Sequence, residues 1–351
     1  MAAYTTIDDP SAYFKVQLYT GTGSSLTVTF NDTDTDMQPD LVWIATRSTT
    51  ENQPLYDVVR GTGESVHSND NDTEATEEGV SSFNSDGFTL GTHGGANQSS
   101  ATHVAWCWKA GTTSGITTNG NTTITPSAYS FNQTSGFSII KYTGNSTSGA
   151  KIAHGLGAAP ELVFYKSTTG AFDWLVYSKA LGATKELVLN SAAASTTSDV
   201  FNDEDPTSTN LEVKTNAGNN SSSHDYIAYC WAPIQGFSKF GSFVGNGNVD
   251  GAFVYTGFRP AFVMIKCATR AGTDIWTMYD NKREGYNVDN DALSADTNAA
   301  ERTSDDIDIL SNGFKCRNSV TDVNPSGETA VYIAFAEAPF VNSSGVPCNA
   351  R

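Results

Sequence analysis

The sequence predicts an all-β protein of three tandem β-sandwich modules, each of about 100 to 120 residues, with the jelly roll as one form of sandwich. Short runs rich in Val, Ile, Thr, Tyr, Phe and Trp alternate with stretches of Gly, Asn, Asp, Ser and Thr, as strands alternate with turns. The same landmarks then recur three times in the same order. Helical patterns are confined to 291–303, where we expect a turn or two, and more weakly to 191–196.

Each module opens with two recognisable strands. An aromatic strand runs into Thr-Gly or Val-Gly, in VQLYTGTG (16–23), IIKYTGNS (139–146) and FGSFVGNG (240–247). An apolar strand then starts at a proline, namely Pro39, Pro160 and Pro260. Proline is tolerated at the first residue of a strand because no ladder N–H is needed there. The prolines are about 120 and about 100 residues apart, a domain-sized period rather than the roughly 20 to 50 residues of a solenoid repeat.

A third strand and a late strand complete each module. The third strands are PLYDVV (54–59), DWLVYS (173–178) and DIWTMYD (274–280). The late segments are SDGFTLG (85–91), STNLEVKT (208–215) and SNGFKCR (311–317). In LEVKT, apolar and charged residues alternate, which predicts a half-buried strand. Four aromatic residues of the third strands recur in equivalent places, which favours a core role over stacking on sugar rings: Trp174, Tyr177, Trp276 and Tyr279.

The strand that closes each module is the most similar landmark. It reads HVAWCWKAG (103–111), YIAYCWAPIQG (226–236) and YIAFAEAPF (332–340), and its marker residues are Trp106, Tyr229 and Phe335. Successive side chains of a strand point to opposite faces, and both faces of YIAYCW are largely apolar. We therefore expect this strand to be central in its sheet and covered on both sides.

The landmarks divide the chain into modules at 1–108, 128–235 and 236–340, followed by a tail at 341–351. Residues 109–127 have the Gly, Thr, Ser and Asn composition of a flexible linker. A unit of this size can bury its own core, so the array is expected to behave as three beads. Module one departs most from the others and is therefore the candidate anchor.

The charge balance excludes two classes of partner. Lys and Arg number 20 against 38 Asp and Glu, so the net charge is −18, and such a surface repels nucleic-acid phosphates and anionic lipids. No apolar run approaches the roughly 18 residues that span a membrane. The N-terminus, MAAYTTIDDPSAYF, also lacks the basic start and apolar stretch of a secretory signal. We expect neither nucleic-acid binding nor membrane insertion.

Catalytic motifs are missing from the sequence. It contains no GxSxG elbow, HExxH helix, P-loop or dinucleotide-binding fingerprint. We therefore expect no enzymatic activity and assign no catalytic or cofactor-binding residue. His154, in IAHGLGAAP, is expected to be structural because no nucleophile motif accompanies it. The five cysteines form no CxxC pair and are expected to be buried free thiols.

Two acidic stretches are candidate Ca²⁺ sites. DTDTD (32–36) and NDNDTEATEE (69–78) place carboxylates on loops, where hard cations find oxygen ligands. Neither stretch has EF-hand spacing, so solvated acidic loops are the alternative interpretation. The candidate ligands are Asp32, Asp34, Asp36, Asp70 and Asp72.

Three longer phrases resemble the virion proteins of marine bacteriophages. They are FSIIKYTGNSTSGAKIAHGLGAAPELVFYKS (137–167), GFSKFGSFVGNGNVDGAFVYTGFRPAFVMIK (236–266) and YIAFAEAPF (332–340). Proteins of that family are labelled tail fibre or uncharacterised structural protein and carry such modules in tandem. The resemblance is close over residues 128–351 and looser over the first module, which has a longer acidic insertion and lacks the HGLG turn. It brings no catalytic residues with it.

The resemblance implies a non-enzymatic protein on the exterior of a virion, made in the bacterial cytoplasm and released by lysis. A tail-fibre or receptor-binding component is the leading interpretation, with loops that contact a glycan or protein of the host surface. A capsid decoration or head-fibre protein is the alternative, and a depolymerase of surface polysaccharide is the third. Such fibres are commonly trimers bound to other virion proteins, although no coiled-coil pattern is present here.

Overall fold

The computed structural model describes residues 3–30, 35–272, 274–283, 287, 291–303 and 307–348. The chain is all-β, as predicted, and its strands pair in antiparallel sheets. The helices of the described residues are a 3₁₀ turn, Pro10–Ala12, and a short α-helix, α1, Gly94–Asn97. None of the helices in these ranges is long and apolar enough to cross a membrane.

The strands follow the landmarks along the chain. The first third contains β1 (Phe14–Thr20), β2 (Leu26–Thr29), β3 (Leu41–Thr46), β4 (Pro54–Asp57), β5 (Glu64–His67), β6 (Ala75–Thr76), β7 (Val80–Asn84), β8 (Gly87–Leu90) and β9 (Thr102–Trp108). The second contains β10 (Ala128–Asn132), β11 (Phe137–Thr143), β12 (Ala150–Ala153), β13 (Leu162–Ser167), β14 (Leu175–Ser178), β15 (Lys185–Val188), β16 (Thr196–Thr197), β17 (Asn210–Val213) and β18 (Asp225–Trp231). The last contains β19 (Ser238–Val244), β20 (Phe253–Tyr255), β21 (Phe258–Cys267), β22 (Thr277–Asp280), β23 (Leu293–Ser294), β24 (Ile307–Leu310), β25 (Gly313–Cys316) and β26 (Thr329–Pro339).

Three large sheets have the same strand order. Sheet 1 runs β1-β9-β3-β4-β5-β6, sheet 2 runs β10-β11-β18-β13-β14-β15-β16, and sheet 3 runs β19-β26-β21-β22-β23. In each, the closing strand lies between the aromatic opening strand and the proline-led strand. The small sheets are β2-β8-β7, β12-β17 and β20-β25-β24. Residues of the first two small sheets share hydrophobic clusters with one face of sheets 1 and 2, which makes those pairs sandwiches.

Register shows which residues of the closing strands correspond. Trp108 pairs with Leu41 in sheet 1, and Trp231 pairs with Leu162 in sheet 2. In sheet 3 the corresponding pair is Phe335 with Phe262. Phe335 is therefore equivalent to Trp108 and Trp231.

The predicted equivalence of Phe335 with Trp106 and Tyr229 is wrong by two residues. Trp106 pairs with Trp43 and Tyr229 with Phe164, whereas the corresponding residue of sheet 3 is Ile333, opposite Met264. A slip of two residues leaves every side chain on its original face, because side chains alternate with a period of two. The alternation of apolar residues therefore gives no signal against this slip.

The landmark prolines occupy two kinds of position. Pro39 and Pro160 each precede their strand by two residues. Pro260 instead lies inside β21, and the register with β26 shifts on both sides of it. A bulge accommodates proline inside a strand because the ladder hydrogen bond is interrupted there. The expectation that proline opens the strand is therefore wrong for the third copy.

The closing strand of sheet 2 is covered on both faces, as predicted. Tyr226, Ala228 and Cys230 lie in the hydrophobic cluster between sheet 2 and its small sheet. The residues that alternate with them lie in a second cluster: Ile227, Tyr229 and Trp231. The half-buried character of β17 is also confirmed, since Leu211 and Val213 are buried and Glu212 is half-buried.

The second cluster joins all three large sheets. It contains three equivalent aromatic residues, one from each sheet, whose rings contact one another: Trp108, Trp231 and Phe335. Their ring centroids are 6.1 Å apart between the two tryptophans, 5.5 Å between Trp108 and Phe335, and 6.5 Å between Trp231 and Phe335. We call this cluster the central core. The first two sandwiches also keep clusters of their own, whereas the interior of the third is continuous with the central core. The modules are therefore not separate beads in their packing, because one face of each large sheet contributes to this shared core.

Three equivalent hydrogen bonds link the sheets in a ring. Each donor is the residue directly before the third strand of its sheet. Each acceptor is a backbone carbonyl of a neighbouring sheet, and it belongs to the residue that pairs with the first residue of that sheet's own third strand. The bonds are Trp174 Nε1 to His67 O at 2.8 Å, Trp276 Nε1 to Val188 O at 3.0 Å and Gln53 Nε2 to Ser294 O at 2.5 Å. They run from sheet 2 to sheet 1, from sheet 3 to sheet 2 and from sheet 1 to sheet 3. The ring is closed.

A buried ion pair lies between sheets 1 and 2. Arg60 Nε donates to Asp57 Oδ2 at 2.6 Å, and both side chains are fully buried. Tyr229 of sheet 2 donates its hydroxyl to the same carboxylate oxygen at 2.8 Å. Burial alone lowers the pKa of the Arg60 guanidinium, but the charge of Asp57 outweighs this and raises the pKa above its ordinary value.

The contact between sheets 3 and 1 repeats this arrangement. Arg283 Nε donates to Asp280 Oδ2 at 2.8 Å, again with both side chains fully buried. Trp106 of sheet 1 donates its Nε1 to that oxygen at 3.0 Å. Trp106 and Tyr229 are equivalent by register, so the donor from the neighbouring sheet is the same position in both contacts.

At the contact between sheets 2 and 3, the equivalent backbone positions carry different side chains. Ser178 pairs with Leu162, which is the position that Asp57 and Asp280 occupy in their sheets. Three residues later, where the others have arginine, the chain has Leu181. The residue equivalent to the aromatic donor is Ile333.

The segments predicted to be irregular or helical also have defined places. Residues 191–196 form no helical turn, and 291–303 contains a bridge between Ala292 and Arg302, so both predicted turns are wrong. The predicted linker, 109–127, is fixed at two points by bridges from Thr112 and Ile124 to residues of the second third. Ile124 is buried in the sandwich cluster there.

Candidate functional site

The candidate Ca²⁺ ligands do not meet in one site within the described residues. Asp32 and Asp34 lie outside those residues, and Asp36 and Asp72 are exposed. Asp70 is occupied by protein donors: its Oδ2 lies 2.9 Å from His67 Nδ1, and its Oδ1 accepts the backbone N–H of Asp72 at 3.1 Å. The structure gives these residues no common ligand geometry.

A different group of side chains does converge. Within the ranges given above, His67, Glu77 and His93 form the one set of three whose donor atoms all lie within 4.8 Å of one another. None of the three was singled out in the sequence, because they are 10 and 16 residues apart and match no ligand motif. The available signal was the acidic insertion of the first module, which contains Glu77 and lies between the two histidines.

Strand pairing brings the three segments together. His67 is the last residue of β5, and Glu77 directly follows β6, which pairs with β5. Glu77 N–H donates to Gly63 O at 2.7 Å, which holds the insertion against the start of β5. His93 precedes helix α1, and its N–H donates to Glu78 O at 2.9 Å. Backbone hydrogen bonds thus fix all three residues at one edge of sheet 1.

The two imidazoles approach the same carboxylate. His67 Nε2 lies 3.4 Å from Glu77 Oε1, and His93 Nε2 lies 3.3 Å from Glu77 Oε2. The imidazole rings are parallel, at an interplanar angle of 4° and a centroid distance of 6.4 Å. His67 Nε2 is buried, and this long contact with Glu77 is its one polar contact among the described residues. Both Nε2 atoms therefore face a common space beside Glu77.

The far side of each ring is held by a polar partner. His67 Nδ1 lies 2.9 Å from Asp70 Oδ2, and His93 Nδ1 lies 3.1 Å from Tyr56 Oη. Ser65 Oγ donates to Glu77 Oε2 at 2.6 Å. A partner at one imidazole nitrogen fixes the ring orientation and determines which nitrogen is free to bind.

The charges of the site are strongly coupled. Burial lowers the pKa of His67, but hydrogen bonds and charges from Asp70 and Glu77 outweigh it and raise that pKa to about 9. Burial raises the pKa of Glu77, while hydrogen bonds from His67 and Ser65 lower it to about 2. Burial also lowers the pKa of His93. In the free protein at neutral pH, His67 is therefore a cation paired with Glu77.

The site is open on one side. The side chains of His67, Glu77 and His93 are 11%, 18% and 23% exposed, and an open cleft of about 490 Å³ borders Glu77. Among the described residues, the corresponding edge of the other sheets has no such group, and Val188 and Ser294 occupy the position of His67. The cluster is a feature of sheet 1 alone among these three equivalent positions.

The remaining predictions about side chains concern the core. His154 is buried, its Nε2 lies 3.0 Å from Thr207 O, and its Nδ1 accepts from Leu156 N at 3.3 Å, so its structural role is confirmed. The four recurring aromatics are at most 1% exposed, which confirms their core role: Trp174, Tyr177, Trp276 and Tyr279. Four cysteines are buried free thiols as expected, whereas Cys348 is free and exposed.

Neither a curated protein nor a solved structure matches the chain. One family model does match, that of a domain of unknown function, DUF7483, and it covers residues 9–339. This match spans all three large sheets. The chain therefore belongs to the DUF7483 family.

Proposed function

We propose that the chain is a non-enzymatic structural protein of a bacteriophage virion exterior, in which three tandem modules close into one rigid body. The observation that carries this proposal is the ring of three equivalent hydrogen bonds around the central core. A particle exterior must withstand dilution and proteases, and a body without independent parts suits that task. The resemblance of residues 128–351 to marine phage virion proteins supports the proposed location.

The shared strand order of the three large sheets supports the proposal of three modules. Each large sheet has the order opening strand, closing strand, proline-led strand, third strand, and in sheet 2 an additional strand precedes the opening one. Chance similarity does not explain why donor and acceptor of the ring bonds also fall at equivalent register positions.

Within the virion, a tail-fibre or receptor-binding component is the leading proposal and capsid decoration the alternative. Both need a contact with another virion protein. Phe253 and Tyr255, on one face of β20, support such a contact because their side chains are 49% and 47% exposed. We further propose that the chain forms a homotrimer, whose mass would be about three times the 37.3 kDa of one chain.

Antibody labelling of intact virions tests the location. We expect label at tail tips or baseplate fibres, and label spread over the head would replace the receptor-binding role by decoration. Particles without label would refute the virion proposal. Incubation of the purified protein with host polysaccharide, assayed for released reducing ends, should give no signal, and release would establish the depolymerase alternative instead.

A further inference from the structure

We propose that His67, Glu77 and His93 bind one divalent transition-metal ion, with Zn²⁺ as the expected occupant. The site lies at the edge of sheet 1, where the backbone carbonyl of His67 also accepts one of the ring bonds. The inference holds whether or not the protein belongs to a virion.

Each imidazole lies at the distance from Glu77 that separates two ligands of one ion. Zn²⁺ binds imidazole nitrogen and carboxylate oxygen at about 2.0 to 2.2 Å, so two ligands of a tetrahedron are about 3.3 to 3.5 Å apart. Glu77 Oε1 and His67 Nε2 are 3.4 Å apart, and Glu77 Oε2 and His93 Nε2 are 3.3 Å apart. These two distances end on different oxygens of Glu77. With one donor atom from each residue, the three atoms lie within 4.8 Å of one another, so the side chains must close in to surround one ion.

The partners of the two imidazoles are those that a metal site requires. A histidine ligand commonly donates its other ring N–H to a carboxylate or another acceptor, and this directs the free nitrogen at the metal. Asp70 holds His67 in this way, and Tyr56 occupies the corresponding place beside His93. An ion would replace the long 3.4 Å contact between the buried His67 Nε2 and Glu77 Oε1 by direct bonds from both atoms to the metal.

The donor set selects the class of metal. Two imidazole nitrogens and one carboxylate suit Zn²⁺ and its neighbours in the first transition series, whereas Ca²⁺ and Mg²⁺ prefer six or more oxygen ligands. The candidate Ca²⁺ residue Asp70 therefore has a different role here, as the positioning residue of His67. Three protein ligands and a solvent-exposed side leave the fourth position for water or an outside ligand.

Metal binding would fix the position of the acidic insertion in the first module. Glu77 belongs to the acidic stretch 69–78, and its two ligand partners come from β5 and the start of helix α1. An ion bound to all three would tie the insertion to sheet 1. At the equivalent edges of sheets 2 and 3, Val188 and Ser294 stand in place of His67 and supply no metal-binding side chain.

Metal titration of the full-length chain tests the proposal. After treatment with chelator and its removal, calorimetric titration with ZnCl₂ should show one ion per chain, and Ca²⁺ should not compete. The variants H93Q and E77Q should each weaken Zn²⁺ binding at least about 100-fold. D70N should weaken it about 10- to 100-fold, as expected for a partner of a ligand. The matched controls H224Q and D72N alter a histidine and an insertion carboxylate outside the ligand set and should leave the affinity unchanged.

Two results would overturn the proposal. A wild-type chain that binds no Zn²⁺ would make the cluster an ion pair between His67 and Glu77 only. Binding that survives in both H93Q and E77Q would place the ion elsewhere. If a variant does not fold, the Co²⁺-loaded wild-type protein still decides: intense visible absorption from a tetrahedral ion supports the site, and the weak absorption of octahedral Co²⁺ contradicts it.

Discussion

The contact between sheets 1 and 2 and the contact between sheets 2 and 3 use equivalent backbone positions but different side chains. The first buries Asp57, Arg60 and the hydroxyl of Tyr229 in one hydrogen-bonded group. The second has Ser178 and Ile333 at the positions equivalent to Asp57 and Tyr229. Acid, base and aromatic donor are therefore present together or replaced together. A buried charge without its partner is costly, whereas replacement of all partners by apolar groups is nearly neutral.

A second contrast separates the sheets at their edges. The central core uses equivalent residues from all three sheets, but the His67 cluster occurs at the edge of sheet 1 and its equivalents are Val188 and Ser294. The residues that face the common core are constrained by two neighbouring sheets. An edge faces solvent and can accept an insertion with its own chemistry.

The largest effect is expected from removing one partner of the buried group. D57A leaves the buried Arg60 guanidinium with only its longer contact to Glu74, at 3.4 Å, which should lower the free energy of unfolding by about 3 to 5 kcal/mol. S178A, at the equivalent position of sheet 2, removes no charge partner and should cost about 1 kcal/mol or less. Urea unfolding of both variants measures the difference. Equal losses would show that the two contacts do not differ in the way proposed.

A smaller effect on the free energy of unfolding is expected from His154, a buried histidine whose hydrogen-bond partners lie within its own module. Burial lowers the pKa of His154 to about 4, so the imidazole is neutral in the folded state, whereas the unfolded chain takes up a proton near pH 6.5. The stabilisation is present above pH 6.5 and is lost as the pH falls toward 4. Between pH 7 and pH 5 the wild type should lose about 2 kcal/mol more than H154Q. Parallel unfolding curves of the two proteins at both pH values would contradict this.

The smallest effect is expected when the whole group is exchanged. The triple variant D57S/R60L/Y229I gives the first contact the side chains of the contact between sheets 2 and 3. The buried acid and base are removed together, and the carboxylate that loses Arg60, Glu74, is partly exposed. The triple variant should therefore unfold within about 2 kcal/mol of the wild type and be more stable than D57A. Urea unfolding again provides the measurement. A triple variant less stable than D57A would show that the ion pair itself holds the sheets together.

Local pattern predicted much of the fold from the sequence. The two apolar faces of YIAYCW correctly indicated a strand covered on both sides, and the recurring landmarks fall on or beside strands of the described structure. The residues that would cover Tyr229 and Trp231 were beyond prediction, because the covering sheets lie far away in the chain. The two-residue slip at Phe335 escaped detection because it preserves the alternation.

The His67 cluster escaped prediction for a related reason. The pairing of β5 with β6 and the hydrogen bond from His93 to Glu78 create the proximity, and neither follows from the spacing of the residues. Acidic composition pointed to the right insertion and to Asp70. It suggested oxygen ligands and Ca²⁺, whereas the structure places two imidazole nitrogens against Glu77.

Calorimetric unfolding of the full chain tests most directly whether the three sheets form one body. At about 0.7 kcal/mol per residue near 60 °C, a single cooperative transition of the 351 residues has an enthalpy of about 250 kcal/mol. We expect one transition of about this size, with equal calorimetric and van't Hoff enthalpies. Separate transitions of about 80 kcal/mol each would mean that the sheets unfold independently and that the ring and the central core do not unite them.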